Sequence, residues 1–334
     1  MRRTAPLVLW TCVAGVICLL ARPARAQVPF GELGVLPPRT GYRLSLEVRE
    51  NFAARDDFAH PMFLFQQEVD HVSVRELSLQ AALWVALTPR LALGVDVPFS
   101  LREAGVRFAP VIVAEGVRLP PVWRELEGSG LADPTLAVSY RMLDGERLTL
   151  ATTLGVVLPG DDNPGSSTVP TRLPLSTGQG EGFAEAALVA RLSSIALALS
   201  YRAGYRPGSA TTYLVRRVGP DGFASGALGR HIHQRVRLDF RWSTDPRFWL
   251  RFIPEWRVEG NPPLVDHGKE YLFLRERFKN EVALDARFGV RLSRTLGVEL
   301  SYTLSLLESW QRDPYFPLAI PRRGFGVTWW VSGS

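Results

Sequence analysis

The chain has 334 residues, a formal net charge of +6 and two cysteines, Cys12 and Cys18, both inside its first 26 residues. Four arginines (Arg2, Arg3, Arg22, Arg25) lie there too, so the remainder carries 6 − 4 = +2 and no cysteine, which excludes a disulfide scaffold and a thiolate metal site. Lys269 and Lys279 are the only lysines, and the arginines are spread at alternate positions rather than gathered in one patch, so nucleic acid is excluded as a partner.

Residues 1–26 carry Arg2 and Arg3, an apolar run from Pro6 to Leu20, and Ala24-Arg25-Ala26. This is the pattern of a secretory signal peptide cleaved before Gln27, and the run is shorter than the ~20 residues of a spanning helix. Residues 27–334 then read as one domain. No later apolar run reaches transmembrane-helix length, which leaves a soluble β-protein or a membrane barrel.

From residue 41 onward the chain alternates large apolar residues with charged or small ones, the period of a β-strand. Residues 41–50 set Tyr42, Leu44, Leu46 and Val48 against Arg43, Ser45, Glu47 and Arg49. The same two-faced segment recurs at 77–87, 91–101, 131–142, 147–158, 183–193 and 195–206. Next, 235–242 sets Val236, Leu238, Phe240 and Trp242 against Arg235, Arg237, Asp239 and Arg241, and 248–256 sets Phe248, Leu250, Phe252 and Trp256 against Arg251 and Glu255, with Arg257 just beyond. The series closes with 280–292, where Glu281, Asp285, Arg287 and Arg291 share a face, then 296–307 and 322–331.

Connection lengths alternate as well. Tight turns at 88–90, 144–146, 193–194, 244–246 and 293–294 separate long connections at 51–70, 102–130, 159–182, 207–234, 260–279 and 308–321. Twelve strands with both termini on the short-turn side predict an all-β fold: a closed antiparallel transmembrane β-barrel with short periplasmic turns and long extracellular loops. A soluble sandwich has no reason to segregate its loops by length. Residues 222–233 also alternate and are read as an extension of the eighth strand rather than a thirteenth. The apolar faces then meet outer-membrane lipid, and the tryptophans near strand ends (Trp242, Trp249, Trp256, Trp310, Trp329, Trp330) fall where interfacial girdles form.

GLADPTLAVSYRML (130–143), TLATTLGVVLPGDD (149–162) and STGQGEGFAEAALVARLSSIALALSYRAGYR (176–206) resemble the outer-membrane barrel family named for the MetA pathway of phenol degradation, and 270–307 does so more weakly. The resemblance implies a transporter in the Gram-negative outer membrane, inserted by the barrel assembly machinery, for aromatic or other hydrophobic compounds. It assigns no functional residues. The chain departs from the usual ending of such barrels, closing on Ser334 rather than on an aromatic residue.

No catalytic pattern emerges. There is no GxSxG motif, and His60, His71, His231, His233 and His267 fall in expected loops or at strand ends. His231 and His233 read as solvated loop histidines rather than metal ligands, Asp161, Asp162 and Asn163 as turn residues rather than a calcium site, and Gly178, Gly180 and Gly182 as a flexible loop. No cofactor or metal is expected. The sequence therefore points to a channel for small solutes; the alternative is a non-conducting structural or adhesive barrel whose loops bind partners. The oligomeric state stays open.

Two expectations follow for the lumen. VRFAPVIVAEGVRLPPVW is too apolar for an exposed loop and is expected to constrict the mouth through Phe108, Val111, Ile112 and Trp123. By parity fourteen arginines and ten carboxylates point inward, with Arg235, Arg237, Asp239, Arg241, Arg251, Glu255, Arg257, Glu281, Asp285 and Arg287 as the lining that sets selectivity. The surplus near Arg235, Arg237 and Arg241 predicts a mild preference for anionic solutes, carboxylated aromatics among them.

Overall fold

Alternating strands in an apolar medium must pair both edges, because an unpaired N–H or C=O has no water to turn to. The chain meets that demand by closing on itself. A computed structural model describes residues 36–333 apart from 57–61, 65–66, 110–118, 161–174, 176–178, 193, 209–211, 218–222, 229, 246, 261–263, 267–268, 272–277 and 309–322. Among the described residues there is no helix. Twelve strands form the barrel: β1 (Tyr42–Asp56), β2 (Gln67–Ala86), β3 (Leu91–Phe108), β4 (Thr135–Asp144), β5 (Leu148–Val157), β6 (Glu181–Leu192), β7 (Ile195–Arg206), β8 (His231–Asp245), β9 (Phe248–Gly260), β10 (Phe278–Arg291), β11 (Leu296–Glu308) and β12 (Gly324–Gly333). Each pairs antiparallel with its neighbours in sequence, and β1 closes the ring on β12 from Tyr42↔Gly333 to Asn51↔Gly324.

The two faces are distributed inside out relative to a soluble protein. Leu136, Val138 and Tyr140 on β4, Leu197, Leu199 and Tyr201 on β7, and Phe248, Phe252 and Trp256 on β9 are exposed. Their alternate neighbours Ser139, Arg141, Ser200, Arg251 and Glu255 are buried. Apolar outside and charged inside is the arrangement that lipid selects.

The five tight turns and six long connections alternate as the sequence predicts, but the wall is taller than expected. β2 has 20 residues and β3 has 18, against the ~9–11 that cross a bilayer. Much of what reads as a long loop at 51–70 and 102–130 is strand. Residues Val122–Leu131 fold back along β3 in register from Phe108↔Val122 to Phe99↔Leu131. Phe223–Leu228 is not part of the eighth strand: it belongs to a separate four-stranded sheet with Thr212–Arg217, Leu264–Asp266 and Lys269–Tyr271, while β8 begins at His231. Its hydrogen bonds go to Thr212–Arg217 and Leu264–Asp266, so the barrel count stays at twelve.

Ahead of β1, residues 36–40 turn into the barrel at its short-turn end. Gly41 makes that turn with φ 65°, a conformation that side chains resist and glycine accepts. Leu36 is 0 % exposed and packs among Ala151, Ala187, Val189 and Ala198 of β5–β7, on the far side of the ring from β1. The Arg43 guanidinium donates to the Leu36 carbonyl at 2.7 Å, Arg141 donates to the Pro37 carbonyl, and Arg39 pairs with Asp144 at 3.0 Å. A strap thus crosses the lumen and is tied to both walls.

A charged lumen with a chamber

Small residues opposite large ones decide where the interior fills. Trp249 on β9 lies over Gly289 on β10, and Trp330 on β12 lies over Gly297 on β11; a Cβ at either glycine would run into the indole. The two rings meet at 6.2 Å near the short-turn end. The same device recurs with Trp84 of β2 over Gly94 of β3, also close to a tight turn, and farther up with Phe183 of β6 over Gly155 of β5. Aromatic rings covering cross-strand glycines are a known way to rescue the weak pairing of that residue.

Around Trp249 the charges form a closed network. Its Nε1 donates to Glu299 at 2.7 Å, and Arg251 reaches Glu299 at 3.0 Å and Asp239 at 3.2 Å. Arg287 adds Asp285 at 2.7 Å and Glu299 at 3.4 Å, and the Arg241 guanidinium stands 4.5 Å from the centre of a Trp249 ring. Such pairs hold only because each charge is answered, since desolvation costs several kcal/mol per ion.

Beyond this packed end the lumen opens into a chamber of about 660 Å³. Leu36, Pro37 and Trp330 line its short-turn end. Among the described residues nine arginines and seven carboxylates line it, unevenly: Arg202, Arg235, Arg237, Arg251, Arg257 and Arg287 come from β7–β10, while β2–β5 contribute mostly Ser78, Gln80, Ala82, Trp84, Gly94, Ala137 and Thr153. Arg202, Arg235 and Arg257 stand opposite one another on three successive strands. Glu185 pairs with Arg235 at 2.9 Å, Glu181 with Arg202 at 2.6 Å, and Glu255 with Arg257.

Of the ten charged residues expected to line the lumen, the chamber gathers seven: Arg235, Arg237, Arg251, Glu255, Arg257, Asp285 and Arg287. Asp239 and Arg241 lie in the packed network instead, and Glu281 accepts from Ser305 at 3.3 Å. Of the four expected constriction residues, Phe108 is buried at the end of β3, whereas Trp123 is 56 % exposed on the returning strand, beside His71 and Arg107 on the opposite face of the wall. Val111 and Ile112 lie outside the described residues, as do Asp161, Asp162, Asn163, Gly178, His60, His267 and Trp310.

Two sequence readings are corrected. Trp249 (1 % exposed) and Trp330 are not girdle residues: parity puts Trp249 on the face of Arg251, and both indoles fill the interior, while Trp242 and Trp256 do face outward. His231 and His233 are not solvated loop residues either. They are buried on the inner face of β8, His231 bonded to Glu259 at 3.0 Å and His233 lying 3.7 Å from Glu181. Among the described residues no group of three His, Cys, Asp or Glu side chains is placed to hold a metal. Sequence reasoning also passed over Trp84, Phe183 and the strap; for the two aromatics the signal was available, since Trp84 shares parity with Gln80 and Ala82, and Phe183 with Glu185.

The architecture defines a closed twelve-stranded antiparallel β-barrel with an apolar outer face and a charged interior. The fold is similar to that of an outer-membrane channel from Pseudomonas putida F1, at a TM-score of 0.56 and 15% identity over 91% of this chain and 99% of that one. Slighter likenesses, too weak to bear on function, are to the TodX monoaromatic hydrocarbon channel (TM-score 0.45, 10% identity, 90% and 93% covered) and the CymD monoaromatic hydrocarbon channel (TM-score 0.41, 9% identity, 93% and 94% covered). No protein-family model matches the chain, and no curated protein matches it.

Proposed function

We propose that the protein is an outer-membrane channel for small solutes, exported through a signal peptide cleaved before Gln27 and seated in lipid by the barrel assembly machinery. The observation that carries this reading is the pairing of an exposed apolar belt with a charged interior that keeps a chamber of about 660 Å³. A barrel built only as a scaffold would gain by filling that space, because packed interiors are the stable ones. The solutes are small organic compounds, aromatic ones included, as the family resemblance implies. The inward arginine surplus on β7–β10 gives them a mild anionic bias.

A second reading, a non-conducting barrel whose extracellular loops bind partners, draws support from the strap and the Trp249–Trp330 pair at the periplasmic end. Planar-bilayer recording separates the two. Purified protein that shows the heat-modifiable gel shift of a folded barrel is expected to give discrete conductance steps, and a folded barrel that stays silent overturns the channel reading.

A further inference from the structure

The chamber has two unlike walls. In a closed ring of twelve, β2 and β8 are six strands apart in either direction, so the arc around β8 faces the arc around β2. On the β2 side, Trp84 lies over Gly94, where a Cβ would come within 2.6 Å of the ring, and Ala82 and Ala137 flank it. The absent Cβ of Gly94 lets the indole lie flat, and the result is a small apolar plate with Asp96 at its edge, opposite Ala82. The wall there is thin: behind Gly94, Ala137 and Gly155 the outer face carries a second apolar hollow of about 740 Å³.

Across the chamber the arginines are less well matched. Like charges directly opposite on a sheet are unfavourable, yet Arg202, Arg235 and Arg257 are in register. Arg202 is partly relieved by lying 3.5 Å from the centre of the Phe183 ring, and each of the three has a carboxylate. Arg237 fares worse. Its ion-pair partner is Asp239 at 3.7 Å, already held by Arg251, and Glu255 directly opposite on β9 is held by Arg257. The Arg237 guanidinium lines the chamber with its charge only loosely answered.

Resting on the reading that solutes enter this lumen, we infer that the chamber is a holding site for an organic carboxylate with a flat apolar body. The carboxylate sits on Arg237 between Arg235 and Arg257, and the body lies on Trp84, Ala82 and Ala137. Arginine supplies the planar donor fork that a carboxylate matches, and a bound anion relieves the mutual repulsion of the arc. An inorganic anion would satisfy the arginines and leave the plate unused; a neutral aromatic would do the reverse.

Calorimetric titration of the folded, detergent-solubilised full chain tests this with 2-naphthoate, its neutral counterpart 2-naphthylmethanol, and acetate. Naphthoate is expected to bind at least about tenfold more tightly than either, the scale of one charge-assisted hydrogen bond. Arg237→Gln should weaken it about tenfold and Arg237→Lys should restore part of the loss, while Trp84→Ala should bring naphthoate down toward acetate. Equal binding of acid and alcohol, equal binding of naphthoate and acetate, or an unchanged Arg237→Gln would each overturn the site. Conductance is read separately on the same preparations: ion flow without Arg237-dependent binding rejects the holding site alone, and binding in a silent barrel rejects the channel alone.

Discussion

The short-turn end of the lumen and the chamber above it are made from the same alternating strands, yet one is packed and the other hollow. Near the turns, inward positions carry tryptophans laid over glycines, with Arg251 answered by both Asp239 and Glu299 and a strap threaded between the walls. In the chamber, β2–β5 carry mostly small or uncharged residues, with Glu76, Asp96 and Arg102 among them, and Arg237 across from them shares both nearby carboxylates, Asp239 with Arg251 and Glu255 with Arg257. Alternation decides which residues point in. Residue size and the completeness of charge pairing then decide whether the inward space is core or cavity.

The contrast breaks most sharply through Arg251. Replacing it with glutamine leaves Asp239 and Glu299 buried without their main counter-charge, and removing one partner of such a network costs about 3–5 kcal/mol. Urea titration followed by heat-modifiable mobility should show that loss. The same measurement on Arg237→Gln should show a change below about 0.5 kcal/mol, because nothing is left buried and unanswered. Equal losses in the two variants would mean that the chamber is as structurally committed as the packed end.

The strap offers the next test. Deleting residues 27–40 removes Leu36 and Pro37 from the short-turn end of the chamber, together with the bonds from Arg43 and Arg141. Unit conductance should rise about threefold if the strap is the principal obstruction in a narrow lumen. Unchanged conductance in a folded deletion would place the obstruction at the Trp249–Trp330 pair instead.

These two ends also differ in how far the sequence reveals them. Parity and turn spacing are local, so twelve strands, their faces and the inward placement of Arg235, Arg237 and Arg257 can all be read from residues a few positions apart. The extra height of β2 and β3 is hidden because QEVDHVSVRE and REAGVRF alternate large apolar with charged or small residues less cleanly, so the contrast that marks a strand fades. In Phe248-Trp249-Leu250 three large residues in succession blur the alternation, and only Arg251 two positions on betrays that Trp249 points inward. The strap has no period at all. Its place depends on Ala151, Ala187 and Ala198 leaving room more than a hundred residues away, which no local pattern can show.

The smallest expected effect lies in selectivity, where the two regions should part company once more. Arg241 was expected to share the anion bias with Arg235 and Arg237, but it lies against Trp249 in the packed end and lines no part of the chamber. Its charge is set among Arg251, Glu299 and Asp239, and of these four only Arg251 and Glu299 also line the chamber. The field a permeating ion meets comes from the chamber wall, where nine arginines stand against seven carboxylates among the described residues. Neutralising Arg237 removes one of the two surplus charges, and in a salt gradient the reversal potential should move toward zero as the anion-to-cation permeability ratio falls by about half. Arg241→Gln should shift it less, acting through the fold rather than the field. A wild-type barrel that prefers cations would reject the anionic bias. A larger shift from Arg241 than from Arg237 would mean that ions pass through the packed end, and that the wall beside Trp249 is part of the pore.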